Sequence, residues 1–587
     1  MKKIIFTLAV VMVLLLSSCD RDSNVNETDA VLSTSSLFDY VPADTPYLMA
    51  ATEGMPEDIV EQYLLQSKPM IDSFQDSLKL IIESIADVDE STGHESNSDT
   101  DSATTTDTND ENFNMLAFAS SLLDQYANNL SLAGLRSIGI DPVAKSVVYG
   151  LGPFPVVRTG IADQNKLRAT LDKAFAAGGK APSEQELNGR KYWQISDAGM
   201  TFIASIGDDE ASAGLVPTSM LDEGLMNILG QTKPGNAIDV YSEMDKFNRQ
   251  YGYTNFFSGW LKSEQLLNLF LNDDSSAANS LRQLIEFDNT TVTDICKTEM
   301  ASMAATVPLF HFGMNKLELN ESVMSVAIDF DAATAAKLHQ LSLPDALSPS
   351  YSGSPFSHGL ALNLAKLREW LLATAKQRTE NPYQCEELAG LNSIFATAYE
   401  NLNRPLPPFL GNLFGYRISV NEIDLTQLYQ GSSGLNGKIL LSILTSNPEM
   451  LIGMGQMFVP DLAGKEINAG EAPVALKLDQ LPTGELPTWA AMSDSALGIA
   501  LGEEMDSKLQ PFLEGGGSKN GEFLTFGMSG EFYDKQLNAI IDFMPDGSLS
   551  AADLEDFKAS MEIYESIYFK ASFTEKGLVF AQQAILK

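Results

Sequence analysis

Apolar and polar positions alternate strictly in several places along the chain, and each time the alternation hands over to a helical pattern. The clearest case is Phe312–Asp331, F-G-M-N-K-L-E-L-N-E-S-V-M-S-V-A-I-D-F-D. Leu317 and Leu319 alternate with Lys316 and Glu318, and Met324, Val326, Ile328 and Phe330 alternate with Ser325, Ala327 and Asp329. Period two gives each strand one buried and one wet face, so the stretch predicts a β-hairpin with its turn at Asn320-Glu321-Ser322. Asp331 then predicts the cap of a helix over 332–338, because its carboxylate can accept free first-turn N–H groups.

Similar text recurs. Phe526–Phe543 opens on the same F-G-M and closes on A-I-I-D-F. Read as a copy, it predicts another hairpin, followed by a helix capped by Ser548 or Ser550. A looser copy starts at Phe414-Gly415, resumes at Lys438–Leu444 and enters a helix at Asn447-Pro448, with proline at the first helical position. The loosest is Val147–Ile161, entering a helix at Asp163. The expected fold is α+β: duplicated β-hairpin–helix units forming antiparallel sheets with helices packed on one face.

The ends and joints complete the organisation. Lys2 and Lys3 precede an apolar run, Ile4–Leu16, which leads to Leu16-Ser17-Ser18-Cys19. The run reads as a secretion signal and is short for a membrane span. The cysteine context resembles the bacterial lipobox. That resemblance implies cleavage of residues 1–18, acylation of Cys19 and a lipid-anchored protein of the cell envelope, facing the periplasm or the exterior. Asp20 resembles the inner-membrane retention signal of enteric bacteria, and the sequence leaves the choice of membrane open. Residues 19–36 are polar and read as a tether. Order is expected from 37 to 235 in a first lobe and from 236 to 587 in a second, with the boundary at Lys233-Pro234-Gly235. Residues 87–112, rich in Asp, Ser, Thr and Glu, read as a disordered acidic insert, since they offer almost nothing to bury.

Phe38–Ala51 reads F-D-Y-V-P-A-D-T-P-Y-L-M-A-A, a turn and then a strand. Val41, Pro42, Ala43, Asp44 and Thr45 are similar to the opening of an exported bacterial family of unknown function (DUF3352-like). The resemblance covers a small part of the chain and implies no activity.

Charge narrows the partners. The 587 residues carry a formal charge of −40, or −42 once a leader with Lys2 and Lys3 is removed. Such a surface repels nucleic-acid phosphates and anionic headgroups, so no nucleic acid is expected. The expected contacts are the membrane, through the anchor, and an envelope protein partner.

Reactive chemistry is sparse. His94, His311, His339 and His358 lack metal-ligand spacing, and no nucleophile elbow, P-loop or dinucleotide fingerprint is present. Asp542, Asp546 and Asp553 mimic part of an EF-hand loop. Met544 occupies a ligand place, so a turn with a Ser550–Asp553 capping box is the simpler reading. No cofactor, metal or catalytic residue is assigned. Cys296 and Cys385 remain after Cys19 and could form a disulfide in an oxidising envelope, or stay two separately buried thiols. Pro448–Phe458 is apolar on nearly every side and is expected in a core. Its Met450, Met454, Met457 and Phe458 are also the candidate lining of a hydrophobic groove. These features predict a non-enzymatic binding or scaffolding module. A carrier of a hydrophobic ligand, lipid or peptide, is the alternative, and a hydrolase with a hidden acidic site comes third.

Overall fold

The computed structural model describes residues 36–64, 67–68, 71, 75, 113–179, 182–197, 199–347, 354–424, 436–477, 486–515, 521–541 and 563–587. Cys19, the tether up to residue 35, the acidic insert and the 542–553 turn lie outside them. The described residues form a mixed α+β protein with antiparallel strand pairing. They divide into two compact units. One runs to Asn289; the other holds the residues from Thr290 to Lys587, apart from Leu317–Leu319.

In the first unit the strands are β1 (Tyr47–Ala51), β2 (Ser146–Leu151), β3 (Phe154–Gly160), β4 (Gln185–Leu187), β5 (Arg190–Asp197), β6 (Met200–Ile206), β7 (Glu210–Pro217) and β8 (Ser258–Lys262). Their pairing gives the order β8-β1-β2-β3-β7-β6-β5-β4. This unit continues past Lys233–Gly235, where the sequence placed a boundary. The reason is that β8 returns to pair with β1, Leu48 standing opposite Trp260, and Pro42 bridges to Ala237. The hairpin of β2 and β3 hands over to the Gln164–Ala177 helix, whose first-turn N–H groups of Asn165 and Lys166 donate to the Asp163 carboxylate. That helix and Met115–Ala127 cover one sheet face. Phe118, Phe175, Trp193 and Phe202 form the aromatic centre of this core, with Phe118 and Phe175 stacked at 4.9 Å.

The opposite side of the ladder buries a charge. Arg158 is fully enclosed, its Nη2 donating to the carbonyls of Asn227 (2.7 Å) and Ile228 (3.0 Å) at the end of the Leu221–Ile228 helix. Those carbonyls lie at the helix end, where Gly230 N–H donates to Asn227 and Ser212 Oγ to Ile228, and the guanidinium adds a further buried donor to each. Glu210 lies 3.5 Å from Arg158 Nη1 and also pairs with Arg190, and the Tyr40 ring sits 4.1 Å from the guanidinium carbon.

The second unit contains β9 (Leu309–Glu318), β10 (Glu321–Asp329), β11 (Phe356–Ala361), β12 (Leu413–Asp424), β13 (Asn436–Thr445), β14 (Val474–Leu476), β15 (Thr488–Met492), β16 (Ala496–Leu501), β17 (Glu522–Ser529), β18 (Tyr564–Phe573) and β19 (Gly577–Leu586). The order is β9-β10-β19-β18-β17-β11-β12-β13-β16-β15-β14. The hairpin of β9 and β10 forms, with Leu319 and Asn320 in the turn, and Asp331 caps Ala332–His339. The hairpin of β12 and β13 leads to Pro448–Phe458, capped by Asn447. Gly415, with φ +149°, could not carry a side chain: a Cβ there would meet the Leu360 carbonyl oxygen at 1.8 Å.

One predicted hairpin is corrected. Residues 526–541 are the end of strand β17 followed by a helix, Gly530–Ile541, and not two strands; 542 and 543 lie outside the described residues. Tyr533, Leu537 and Ile540 recur at spacings of four and three, which suits a helix better than alternation does. The Ser529 hydroxyl accepts the Phe532 N–H at 3.2 Å, and Lys535 reaches Glu531 one turn back. The shared F-G-M text therefore marks β-strands in both places but different successors.

Replacing Arg158 by alanine should cost roughly 3 kcal/mol, because the helix-end carbonyls and Glu210 lose a buried donor. Urea unfolding of the two proteins at neutral pH measures it.

Candidate functional site

Register, rather than any single segment, builds the most unusual surface. Directly paired residues lie on the same face of a sheet. Pairing sets Phe526 (β17) opposite both Phe569 (β18) and His358 (β11). His358 in turn stands opposite Ile418, beside Tyr416 on β12. The rings form a row across four strands: Phe569 to Phe526 at 6.0 Å, Phe526 to His358 at 6.3 Å, and His358 stacked on Tyr416 at 5.4 Å.

The same face extends both ways. Beyond β18 it carries Phe580, which lies opposite Ala571 and Val326. Beyond β12 it carries Leu441 and Ile443 on β13, then Ile499 and Leu497 on β16. The Gly530–Ile541 helix lays Phe532 against Phe356, stacked at 5.5 Å, and so covers part of the face. Much stays open: Val326 and Phe580 are each 46 % exposed and Phe569 42 %. Single exposed apolar side chains are ordinary, but a contiguous set across neighbouring strands marks a binding surface.

The other face differs in chemistry. It presents Arg417, Ser419, Ser442, Thr525 and Lys570. Arg417 is buried, its Nε donating to Ser442 Oγ at 3.2 Å and its Nη2 to the Leu513 carbonyl at 3.2 Å. Beside it, Leu509, Phe512 and Leu513 of Asp506–Glu514 pack on Leu440, Leu444, Ala496 and Ala500.

The residues singled out by sequence fall elsewhere. Cys296 and Cys385 are joined by a disulfide. Both are buried, and Glu387 Oε2 lies 3.1 and 2.9 Å from the two sulfurs. With both sulfurs in the bridge, the cluster offers a metal no thiolate. The Glu299 carboxylate accepts the N–H groups of Gln384 and Cys385, holding the same joint between Asp294–Thr306 and the chain after Leu364–Glu380. The Pro448–Phe458 helix is not sandwiched as its composition suggested. Pro448 and Ile452 are buried, Met450 and Met454 are half-buried, and Met457 and Phe458 stand 77 % and 75 % exposed. The helix meets the sheet along one side only, with Ile452 in a cluster with Ile467, Leu476, Ala490 and Met492. None of its four candidate groove residues joins the aromatic row.

His311 is buried with Nε2 3.2 Å from Asp329 Oδ1, while His339 ends a helix and His358 belongs to the row. Among the described residues Glu210 is the one buried carboxylate, and two arginines engage it. No helix among the described residues is long and apolar enough to cross a membrane. No family model, curated protein or solved structure matches the chain.

Sequence reading missed Tyr416, His358, Phe526 and Phe569 as a group. Each strand shows period two, but which of its two faces joins a neighbour's depends on register.

Two outcomes follow. Thiol titration of the unfolded, unreduced protein should find neither Cys296 nor Cys385 free, and Cys296→Ser should lower stability by about 2–5 kcal/mol in denaturant melts. Burial holds His358 below the usual histidine value, so the unfolded chain binds more protons at mildly acidic pH. The stability tied to neutral His358 is full above about pH 6.5 and falls as pH drops toward its lower folded value. Urea midpoints at pH 7.5 and 5.0 should therefore differ less in His358→Phe than in the parent.

Proposed function

We propose that this chain is a lipid-anchored bacterial cell-envelope protein, held through Cys19, that acts without catalysis as a binding module for a hydrophobic ligand. The observation that carries the reading is the open apolar face of the second unit. Its central strands β19, β18, β17, β11, β12 and β13 are paired on both sides. Their backbone N–H and C=O groups are thus engaged, and no strand can be added among them. What the centre of the face offers is hydrocarbon and aromatic rings, with Tyr416, His358 and Gln582 as its polar groups. A ligand with few hydrogen bonds to satisfy fits best, and the acyl chains of a lipid are that chemistry. This relocates the groove from the methionine helix to the sheet.

Duplication belongs to the same proposal, at a larger scale than a hairpin and helix. β1 is flanked by β2 and β8, and β11 by β12 and β17. In each unit the hairpin then hands over to a capped helix. The parallel order supports descent from one copied unit, of which the second uses its uncovered face.

Two measurements test the function. Cys19→Ala should move the expressed protein from the membrane fraction to the soluble fraction. A fluorescent fatty acid, 11-dansylaminoundecanoic acid, should bind the mature chain and lose at least tenfold in affinity in the Val326→Glu/Phe580→Glu double variant. Unchanged affinity in that variant, with far-ultraviolet dichroism intact, would overturn the assignment of the face.

A further inference from the structure

The first unit contains an apolar cavity of about 140 Å³ between its sheet and the two helices that cover it. Its origin lies in small residues at adjoining ladder positions. Ala213 on β7 stands opposite Ala204 on β6 and Val157 on β3, and Ala211 stands opposite Ile206 and Thr159. Three neighbouring strands thus present short side chains to the same face, and the sheet is hollow there. Phe118, Leu122, Leu171 and Phe202 form walls around the hollow. Ala211 and Ala213 stay only half-buried, although helices cover this face.

The hydroxyl donors of the lining are already committed. Thr170 Oγ1 is bonded to the Ile138 carbonyl (2.9 Å) and the Lys166 carbonyl (3.0 Å). Ser205 Oγ donates to the Lys191 carbonyl, Ser212 Oγ to the Ile228 carbonyl and Thr159 Oγ1 to the Gly160 carbonyl. A buried water needs two to four polar partners, and with these O–H donors committed the mostly apolar lining offers it only a few scattered hydroxyl lone pairs. A void of this size lined by such groups stays dry and accepts about six carbon atoms, the size of benzene. On one side the lining is half-buried Ile138, Ile140, Ile161 and Leu167, so the hollow has an apolar mouth rather than a sealed wall.

We infer that this cavity is a second hydrocarbon-binding site, which takes the terminal carbons of an acyl chain whose polar end remains outside the mouth. The inference does not depend on the face in the second unit, because the two sites lie on different strands and have separate variants.

The test uses the full mature chain with benzene and with octanoate as probes. Benzene near aqueous saturation should raise the melting temperature, and octanoate should compete with it. Ala213→Leu, which fills the hollow, should weaken benzene binding at least tenfold. Ala211→Val is the milder filling variant should the larger one fail to fold, and it should weaken binding in the same direction. Lys246→Ala, on the exposed side of the Val240–Tyr251 helix and outside both sites, should leave the benzene response unchanged. Equal benzene affinity in a folded filling variant would overturn the site. Benzene binding that octanoate does not displace would overturn its assignment to an acyl chain.

Discussion

Antiparallel pairing decides most of what this protein can do. A strand bonded on both sides has no backbone group left for anything else, so it meets the world only through side chains that point to one face or the other. Helices and loops must then cover each apolar face, or the face remains available. In the first unit Met115–Ala127 and Gln164–Ala177 pack on one face, and alanines beneath them leave a hollow. In the second unit Gly530–Ile541 covers part of the corresponding surface, and the aromatic row stays open.

Charge and redox state fit this division of labour. A formal charge of −40 opposes contact between copies of a protein with an open apolar face, through net repulsion. The disulfide acts away from the face, tying two helical segments separated by 89 residues of chain. The long helices Leu364–Glu380 and Ala389–Leu402 bury little, Ala375 in the first and no residue in the second. A covalent tie and the Glu299 carboxylate contribute where packing contributes little.

Much of the architecture was legible in the alternation. The hairpins at Val147–Ile161, Phe312–Asp331 and Phe414–Leu444 all form, and Asp163, Asp331 and Asn447 cap the helices that follow. Phe526–Phe543 was misread because a short apolar run can satisfy period two and period 3.6 together, and textual likeness to Phe312–Asp331 tipped the choice. The methionine helix was misread because composition gives no account of how many sides a neighbour covers. The aromatic row and the cavity were not legible at all. Each is assembled from strands far apart in the chain, and a register shift of one residue would turn every contributing side chain to the opposite face.

The two ladders share one more feature, their last strands. The first finishes at β4 and the second at β14, each only three residues long. A stub of that length gives an incoming polypeptide too few free amides to zip against, so neither ladder is readily extended from this end. The opposite rims are longer, five residues in β8 and ten in β9, so an added strand would be steered to that side of each ladder.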